Sequence, residues 1–220
     1  FYAIPVAAYF LVTVNFTNDS EKDVVFAAKG GGLYLMEGNG AGGLGDARQI
    51  DLPGPVTTLA AGEFRAADGF TDLAVGVSGP DGESLLIFDD SVNGFSNALA
   101  QYQLSAPATG IEFGGLDDDP FQDVAVAAGS EVLVVHGWGR KEQVAAASRV
   151  ERINVGPGVR GLALGQFVWD RQGRSEIAAL TYDGTVHIVE HGKLDTRPFS
   201  EAEADQRTRG KLRPQRITKQ

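Results

Sequence analysis

The stretch QDVAVA at residues 122–127 decides the fold, because the chain repeats it three more times. KDVVFA stands at 22–27, TDLAVG at 71–76 and SEIAAL at 175–180. Each copy sets an acidic residue before a short run of small and β-branched apolar residues. The acidic anchors are Asp23, Asp72, Asp123 and Glu176, separated by 49, 51 and 53 residues. A near-constant period of this length marks a repeat architecture. A short apolar run without polar alternation reads as a strand buried on both faces.

Three further pieces recur around the anchors. Ahead of each lies a segment rich in β-formers: VAAYFLVTVNF (6–16), VTTLAAGEF (56–64), ATGIEFGGL (108–116) and VRGLALGQF (159–167). A polar, Asp-rich loop joins it to the anchor. Beyond the anchor strand comes a Gly-bearing turn, at 30–32, 80–83, 129–131 and 183–184. Such turns supply the positive φ that a tight hairpin requires. The turn leads to LYLME (33–37), SLLIFD (84–89), EVLVVHG (131–137) and TVHIVE (185–190). A fourth strand is expected in three units, at ARQIDL (47–52), ALAQYQL (98–104) and ERINV (151–155).

Each unit therefore reads as a four-stranded antiparallel sheet. Small residues after the anchors, such as Ala74, Gly76, Ala125 and Ala127, let such sheets stack closely. Radially stacked four-stranded sheets describe an all-β protein, a β-propeller with about four blades over 5–52, 53–104, 105–155 and 156–192. No segment of 1–192 has a helical period over a helix's length. The tail, 193–220, breaks the repeat and is expected to be a basic polar tail or connector, with a short helix over SEAEADQRTRGK (200–211). It stands where the last strand of the fourth unit should be, so that unit is expected to be incomplete.

Composition narrows the function classes. With 43% apolar residues in 220, the chain can bury a real core. The absence of Cys excludes disulfides and Cys-based metal or redox sites. Net charge is −10, and residues 1–192 carry 25 acidic against 11 basic side chains. An acidic body argues against nucleic acid, which needs a basic face. The apolar stretch FYAIPVAAYFLVTV (1–14) is too short to span a bilayer as a helix and lacks the basic flank of a signal peptide. It is read as strand, and no transmembrane segment is expected. Opening on Phe1 rather than Met, the sequence is expected to be a fragment or processed product.

NFTNDSEKDVVFA (15–27) followed by LYLMEGNGAGGLG (33–45), together with GLDDDPFQDVAVA (115–127), resembles the FG-GAP/VCBS repeat. That repeat forms the blades of integrin-α-like propellers and of many bacterial surface and secreted proteins. Its blade carries a phrase close to D-F-N-G-D-G-x-x-D-L-A-V, then a strand, then G-N-G-x-G-x-F. The resemblance covers about residues 5–192 and is strongest in the anchor strand. It implies that the chain belongs to a larger, seven-bladed propeller in an extracellular, periplasmic or cell-surface setting.

The resemblance also implies Ca²⁺ binding, through oxygens at the first, third, fifth and ninth positions of the loop. Ca²⁺ takes about six to eight hard oxygens, and alternate side chains of a tight loop can converge on one. Those positions are Asn15, Thr17, Asp19 and Asp23 in the first repeat. In the third they are Gly115, Asp117, Asp119 and Asp123, with no side-chain oxygen at the first position and Pro120 where the family has Gly. The second loop, 63–72, is longer and contains Arg65; the fourth, 166–176, is longer still and contains Arg171 and Arg174. Both are read as metal-free turns, whose anchor acid closes the loop by accepting backbone N–H bonds.

The expected function is a non-catalytic binding or scaffold module that presents blade loops to a protein or glycan partner, with structural Ca²⁺. The alternatives are the propeller domain of a secreted carbohydrate-active lyase or hydrolase, and a purely structural spacer. An enzyme would need convergent acidic, His, Tyr or Arg groups, whereas Tyr34, Tyr102, His136, Arg140 and Asp183 fall at unrelated repeat positions. The G-x-G-x-x-G match at 38–43 is followed by loop rather than helix and reads as a blade turn. His187 and His191 have the spacing of a helical metal pair, but on a strand they lie about 13 Å apart. Trp138, Trp169, Phe95 and Phe121 fall in loops, either as rim contacts for a partner or as filling between blades.

Overall fold

A computed structural model of the chain describes residues 1–16, 21–65, 70–89, 98–139, 149–169, 171, 173–190 and 195–211. Each repeat folds as one antiparallel sheet whose strands are hydrogen-bonded in chain order. The first sheet holds β1 (Phe10–Val14), β2 (Asp23–Ala27), β3 (Leu33–Met36) and β4 (Arg48–Ile50). The second holds β5 (Val56–Gly62), β6 (Asp72–Gly79), β7 (Gly82–Phe88) and β8 (Ala100–Gln103). The third holds β9 (Ala108–Gly114), β10 (Asp123–Ala128), β11 (Glu131–Val135) and β12 (Val150–Asn154). The fourth has three strands, β13 (Val159–Gly165), β14 (Glu176–Thr181) and β15 (Val186–Val189). A helix, α1 (Glu201–Lys211), follows where a fourth strand was expected to be missing.

The first strands of successive sheets lie side by side, β1 next to β5, β5 next to β9 and β9 next to β13. The sheets therefore stack as propeller blades around these inner strands. Strand periodicity explains the stacking, since successive side chains point to opposite faces. On β10, Val124, Val126 and Ala128 enter the core shared with the second blade. Ala125 and Ala127 enter the core shared with the fourth. All six residues of β10 are buried, as its unbroken apolar run requires. The first and second blades share a third core built around Val14, Val25, Leu35, Val75 and Phe88.

The end blades differ. Along β1 and β15 exposed residues alternate with half-buried ones, so one face of each lacks a neighbour among the described residues. Leu11 is 62% exposed and Val186 58%, and Tyr9, Tyr182 and Ile188 are exposed with them. The N-terminal stretch is strand only from Phe10, not from its start. Partner strand β2 ends at Ala27, opposite Phe10, and offers residues 1–8 no ladder.

The tail meets the fourth blade. Ser200 and Glu203 form a reciprocal capping box at the start of α1, Ser200 N donating to Glu203 Oε2 at 2.8 Å. The Arg171 guanidinium pairs with Glu203 and lies 4.4 Å from the centroid of the Phe199 ring, while Trp169 meets the same ring edge-on. Asp195 and Glu203 of the tail thus both meet this blade arginine. No helix among the described residues is long and apolar enough to cross a membrane.

One glycine sets the spacing between blades. Gly62 ends β5, and a Cβ there would lie 2.3 Å from Cγ of Phe113 on β9. Gly114, at the same place in the next blade, would put a Cβ 2.8 Å from Cδ1 of Leu164. The missing side chain admits the neighbouring blade's apolar group. Gly62→Ala should therefore destabilise the chain by about 1–3 kcal/mol. Urea unfolding followed by tryptophan fluorescence checks this; an unchanged midpoint would contradict the close approach.

Candidate functional site

The four anchors occupy one structural position. Asp23 pairs across the ladder with Val14, Asp72 with Gly62, Asp123 with Gly114 and Glu176 with Gly165. None is more than 4% exposed. Burying a carboxylate is costly unless hydrogen bonds replace its hydration. Here the backbone of the preceding loop replaces it. Asp23 accepts from Phe16 N at 3.0 Å, Asp72 from Phe64 N at 2.6 Å and Asp123 from Leu116 N at 2.7 Å. Glu176, one methylene longer, accepts from Phe167 N at 2.6 Å and Val168 N at 3.0 Å. In the first and third blades the other oxygen accepts from the end of the third strand, at Gly38 N and Gly137 N.

The residue before each anchor reaches the preceding blade. Thr71 N donates to Asn15 O at 3.0 Å and Thr71 Oγ1 accepts from Asn15 N at 3.1 Å. Gln122 Oε1 accepts from Glu63 N at 2.8 Å, and Ser175 N donates to Gly115 O at 2.9 Å. The first loop position, read from sequence as a metal-ligand position, is thus an inter-blade joint. Asn15 serves it through its backbone.

The third loop brings together Asp117, Asp123 and His136, whose repeat position does not by itself mark it as part of the loop. His136 follows β11 and is half-buried. Its Nδ1 lies 3.2 Å from Asp117 Oδ2 and 3.2 Å from Asp123 Oδ1, and its Nε2 lies 3.4 Å from Glu151 Oε1. The hydrogen bond to Asp123 is the main cause that raises the imidazole pKa from 6.5 to about 9, and burial opposes it. At neutral pH the ring is an imidazolium held among three carboxylates. Asp119 lies beside them: its N donates to Asp117 Oδ1 at 2.9 Å, Phe121 N donates to its Oδ1 at 2.8 Å, and Arg149 faces its Oδ2 at 3.9 Å. Burial raises the Asp119 pKa, and the negative charges of Asp117 and Asp123 raise it further. Arg174 of the fourth blade faces Asp118 at 3.8 Å.

This donor set does not fit Ca²⁺, which takes about six to eight oxygens. Gly115 contributes no side chain, and both Asp123 oxygens accept backbone N–H bonds. Asp117, Asp123 and His136 do place one ligand atom each within 4.8 Å of one another. In the first loop the two Asp23 oxygens are likewise engaged by Phe16 and Gly38, while Thr17 and Asp19 lie outside the described residues. In the second loop Arg65 pairs with Asp89 at 2.7 Å, and the fourth uses Arg171 as described. Cations thus stand beside the loop carboxylates in the third blade, where His136, Arg149 and Arg174 face Asp117, Asp119, Asp123 and Asp118.

The remaining candidates disperse. Tyr34 stacks on Phe26 in the first blade, with ring centroids 5.3 Å apart. Tyr102 is buried in the second blade, and burial pushes its hydroxyl pKa up. Asp183 is a turn residue whose carboxylate, accepting from Thr181 and Thr185, titrates below its usual range. Trp138 is buried edge-on against Phe64, 5.0 Å between centroids, so it fills space between blades. Trp169 is exposed. Gly38–Gly43 is a turn organised by Asn39 Oδ1, which accepts from Ala41 N and Gly43 N. Arg140, Phe95 and His191 lie outside the described residues.

No family model matches the chain, and no curated protein aligns with it significantly. Among solved structures it is similar to BBS1N in complex with ARL6DN, in a crystal soaked with lead. The TM-score is 0.53 and the identity 17%, over 85% of this chain and 52% of that one. A mercury-soaked crystal of the same complex gives a TM-score of 0.52 and 12% identity, over 90% of this chain and 58% of that one. The chain therefore spans just over half the length of the solved chains it matches. At this identity the likeness is one of fold, and the fold is that of a β-propeller.

The histidine makes stability depend on pH. Its folded pKa is raised, so its contribution is complete below 6.5 and is lost as pH rises through about 9. His136→Asn should cost roughly 1–3 kcal/mol at neutral pH. It should also flatten the alkaline decline of Tm seen in the wild type; parallel profiles would show that the imidazolium contributes nothing. Millimolar Ca²⁺ should leave the wild-type Tm unchanged, and calorimetric binding of Ca²⁺ with a rise in Tm would overturn the mismatch argued above.

Proposed function

We propose that this chain is a non-catalytic protein-binding module, and that its four blades are part of a larger propeller of FG-GAP/VCBS type. The uncovered apolar faces of the end blades carry the second half of the proposal. Blades inside the stack bury both faces, whereas Leu11 at one end and Leu180, Val186 and Ile188 at the other are exposed. Further blades would cover both faces, and seven is the number the family resemblance implies. The coverage of only about half of each matched propeller chain agrees with this reading.

The binding half rests on the dispersion of chemistry-bearing side chains. Tyr34, Tyr102, His136 and Asp183 belong to four different blades, and each is engaged in local structure. What the blades offer instead is exposed aromatic groups, including Phe167, Trp169 and Tyr182. Amphipathic aromatic side chains on a fixed scaffold are favoured anchors for protein partners. BBS1N, similar in fold, was crystallised in complex with another protein, ARL6DN. A secreted or surface setting joins the proposal through the FG-GAP/VCBS resemblance.

Panning a random-peptide display library against the immobilised chain, beside a glycan array, tests this reading. Enriched peptides that bind in calorimetry are the expected outcome. Absence of any such peptide, with binding on the glycan array, would replace the protein partner by a glycan.

A further inference from the structure

At the end of the stack opposite the acidic loops, the inner strands begin around a cleft of about 620 Å³. All four blades line it. The first contributes Tyr9 and Lys29, the second Thr57, the third Thr109 and the fourth Arg160 and Tyr182. Its volume falls in the range of about 300–1,000 Å³ typical of ligand sites.

Three of these residues reach the cleft by the same device. The β5–β6 register skips Thr57, the β9–β10 register skips Thr109 and the β13–β14 register skips Arg160. Each is the extra residue of a β-bulge at one repeat position. A bulge leaves one residue unpaired and re-aims its side chain. Tyr9 occupies the corresponding place in the first blade, its N donating to Ala27 O just ahead of the β1 ladder. The fold thus delivers one side chain per blade to a common mouth.

The chemistry of that mouth is opposite to the rest of the protein. The chain carries −10 overall, yet the cleft lining includes Lys29 and Arg160 and no Asp or Glu. Elsewhere Arg65, Arg149, Arg152, Arg171, Arg174 and Arg197 each face a carboxylate. Lys29 Nζ lies 5.4 Å from the centroid of the Tyr9 ring, and among the described residues neither it nor Arg160 has a carboxylate partner. Thr57 Oγ1 is enclosed without a hydrogen-bond partner, and Tyr9 and Tyr182 stand exposed at the rim. Two cations in a concave site, neither with a carboxylate partner among the described residues, focus the local field, while the acidic body repels anions from the remaining surface.

We infer that this mouth docks an acidic peptide segment of the protein partner, its carboxylates meeting Lys29 and Arg160 and its chain lying across Tyr9 and Tyr182. The inference rests on the protein-binding reading above and assigns it a site. An extended segment fits better than a free anion, because the cleft is far larger than one carboxylate and its rim is aromatic. Charge complementarity of this kind chooses the partner and its register more than it sets raw affinity.

The probe is a fluorescein-labelled (Glu-Gly)₅ peptide, titrated by anisotropy against the 220-residue chain. Binding should weaken with added salt, as screened charges do. It should weaken about tenfold or more in a Lys29→Glu/Arg160→Glu double variant, as loss of close charge pairs predicts. Both side chains are exposed, so the variant's Tm should match the wild type. A (Lys-Gly)₅ peptide should not bind. The inference is overturned if the double variant binds (Glu-Gly)₅ as well as wild type, or if wild type fails to bind it. Free glutamate or inorganic phosphate binding as tightly as the peptide would overturn it too, by making the occupant a small anion. If panned peptides bind both forms of the chain alike, the cleft is excluded while the protein-binding reading survives.

Discussion

A carboxylate buried at the start of each blade's second strand holds this architecture together. A dry carboxylate is a liability of several kcal/mol unless it accepts strong hydrogen bonds. Each anchor meets that demand with the backbone of the loop that precedes it, so the loop closes because the charge must be satisfied. Closure sets the register of the inner pair, Val14–Asp23 in the first blade and Gly114–Asp123 in the third. It also sets where the next chain segment can touch. Thr71, Gln122 and Ser175, each one residue before an anchor, bond to the loop of the previous blade. One buried charge per repeat thereby specifies both the sheet and its neighbour.

That arrangement gives the stack two unlike ends. Near the anchors several carboxylates are met by internal cations: Asp89 by Arg65 in the second blade, and Asp123 and Asp119 by His136 and Arg149 in the third. At the opposite end, where the inner strands begin, bulged positions bring Thr57, Thr109 and Arg160 to a cleft without carboxylates. A propeller with polarity of this kind can orient a charged partner before any close contact forms. The apolar flanks of the end blades form a third kind of surface, suited to more blades rather than to solvent.

Much of the fold was legible in the primary structure because sheets are written in short periods. The anchor strands announced burial on both faces, and β10 buries all six residues. Glycine-bearing turns announced the hairpins: Gly129 and Gly184 sit at φ of 61° and 85° between second and third strands. The candidate site was less legible. His136 lies 13 residues beyond Asp123, and only the β10–β11 ladder, with Val124 opposite Val135, brings the ring back to that carboxylate. The bulges left no trace in the repeat pattern either, because one extra residue in a strand does not disturb an apolar run. The contact of the tail was not legible either, since Arg171 meets Glu203 through tertiary proximity that net charge does not encode.

By itself, then, the sequence determined the repeat, the strands, the hairpins and the acidic anchors, because each depends on local spacing and on the period of the pleat. The tertiary structure alone decided what the carboxylates do. Whether an aspartate binds an ion, a backbone N–H or a histidine depends on which donors fold to within about 3 Å of it. It likewise decided that Lys29 and Arg160, 131 residues apart in the chain, share one cleft. Long-range proximity of this kind is set by how blades stack, and no single repeat contains it.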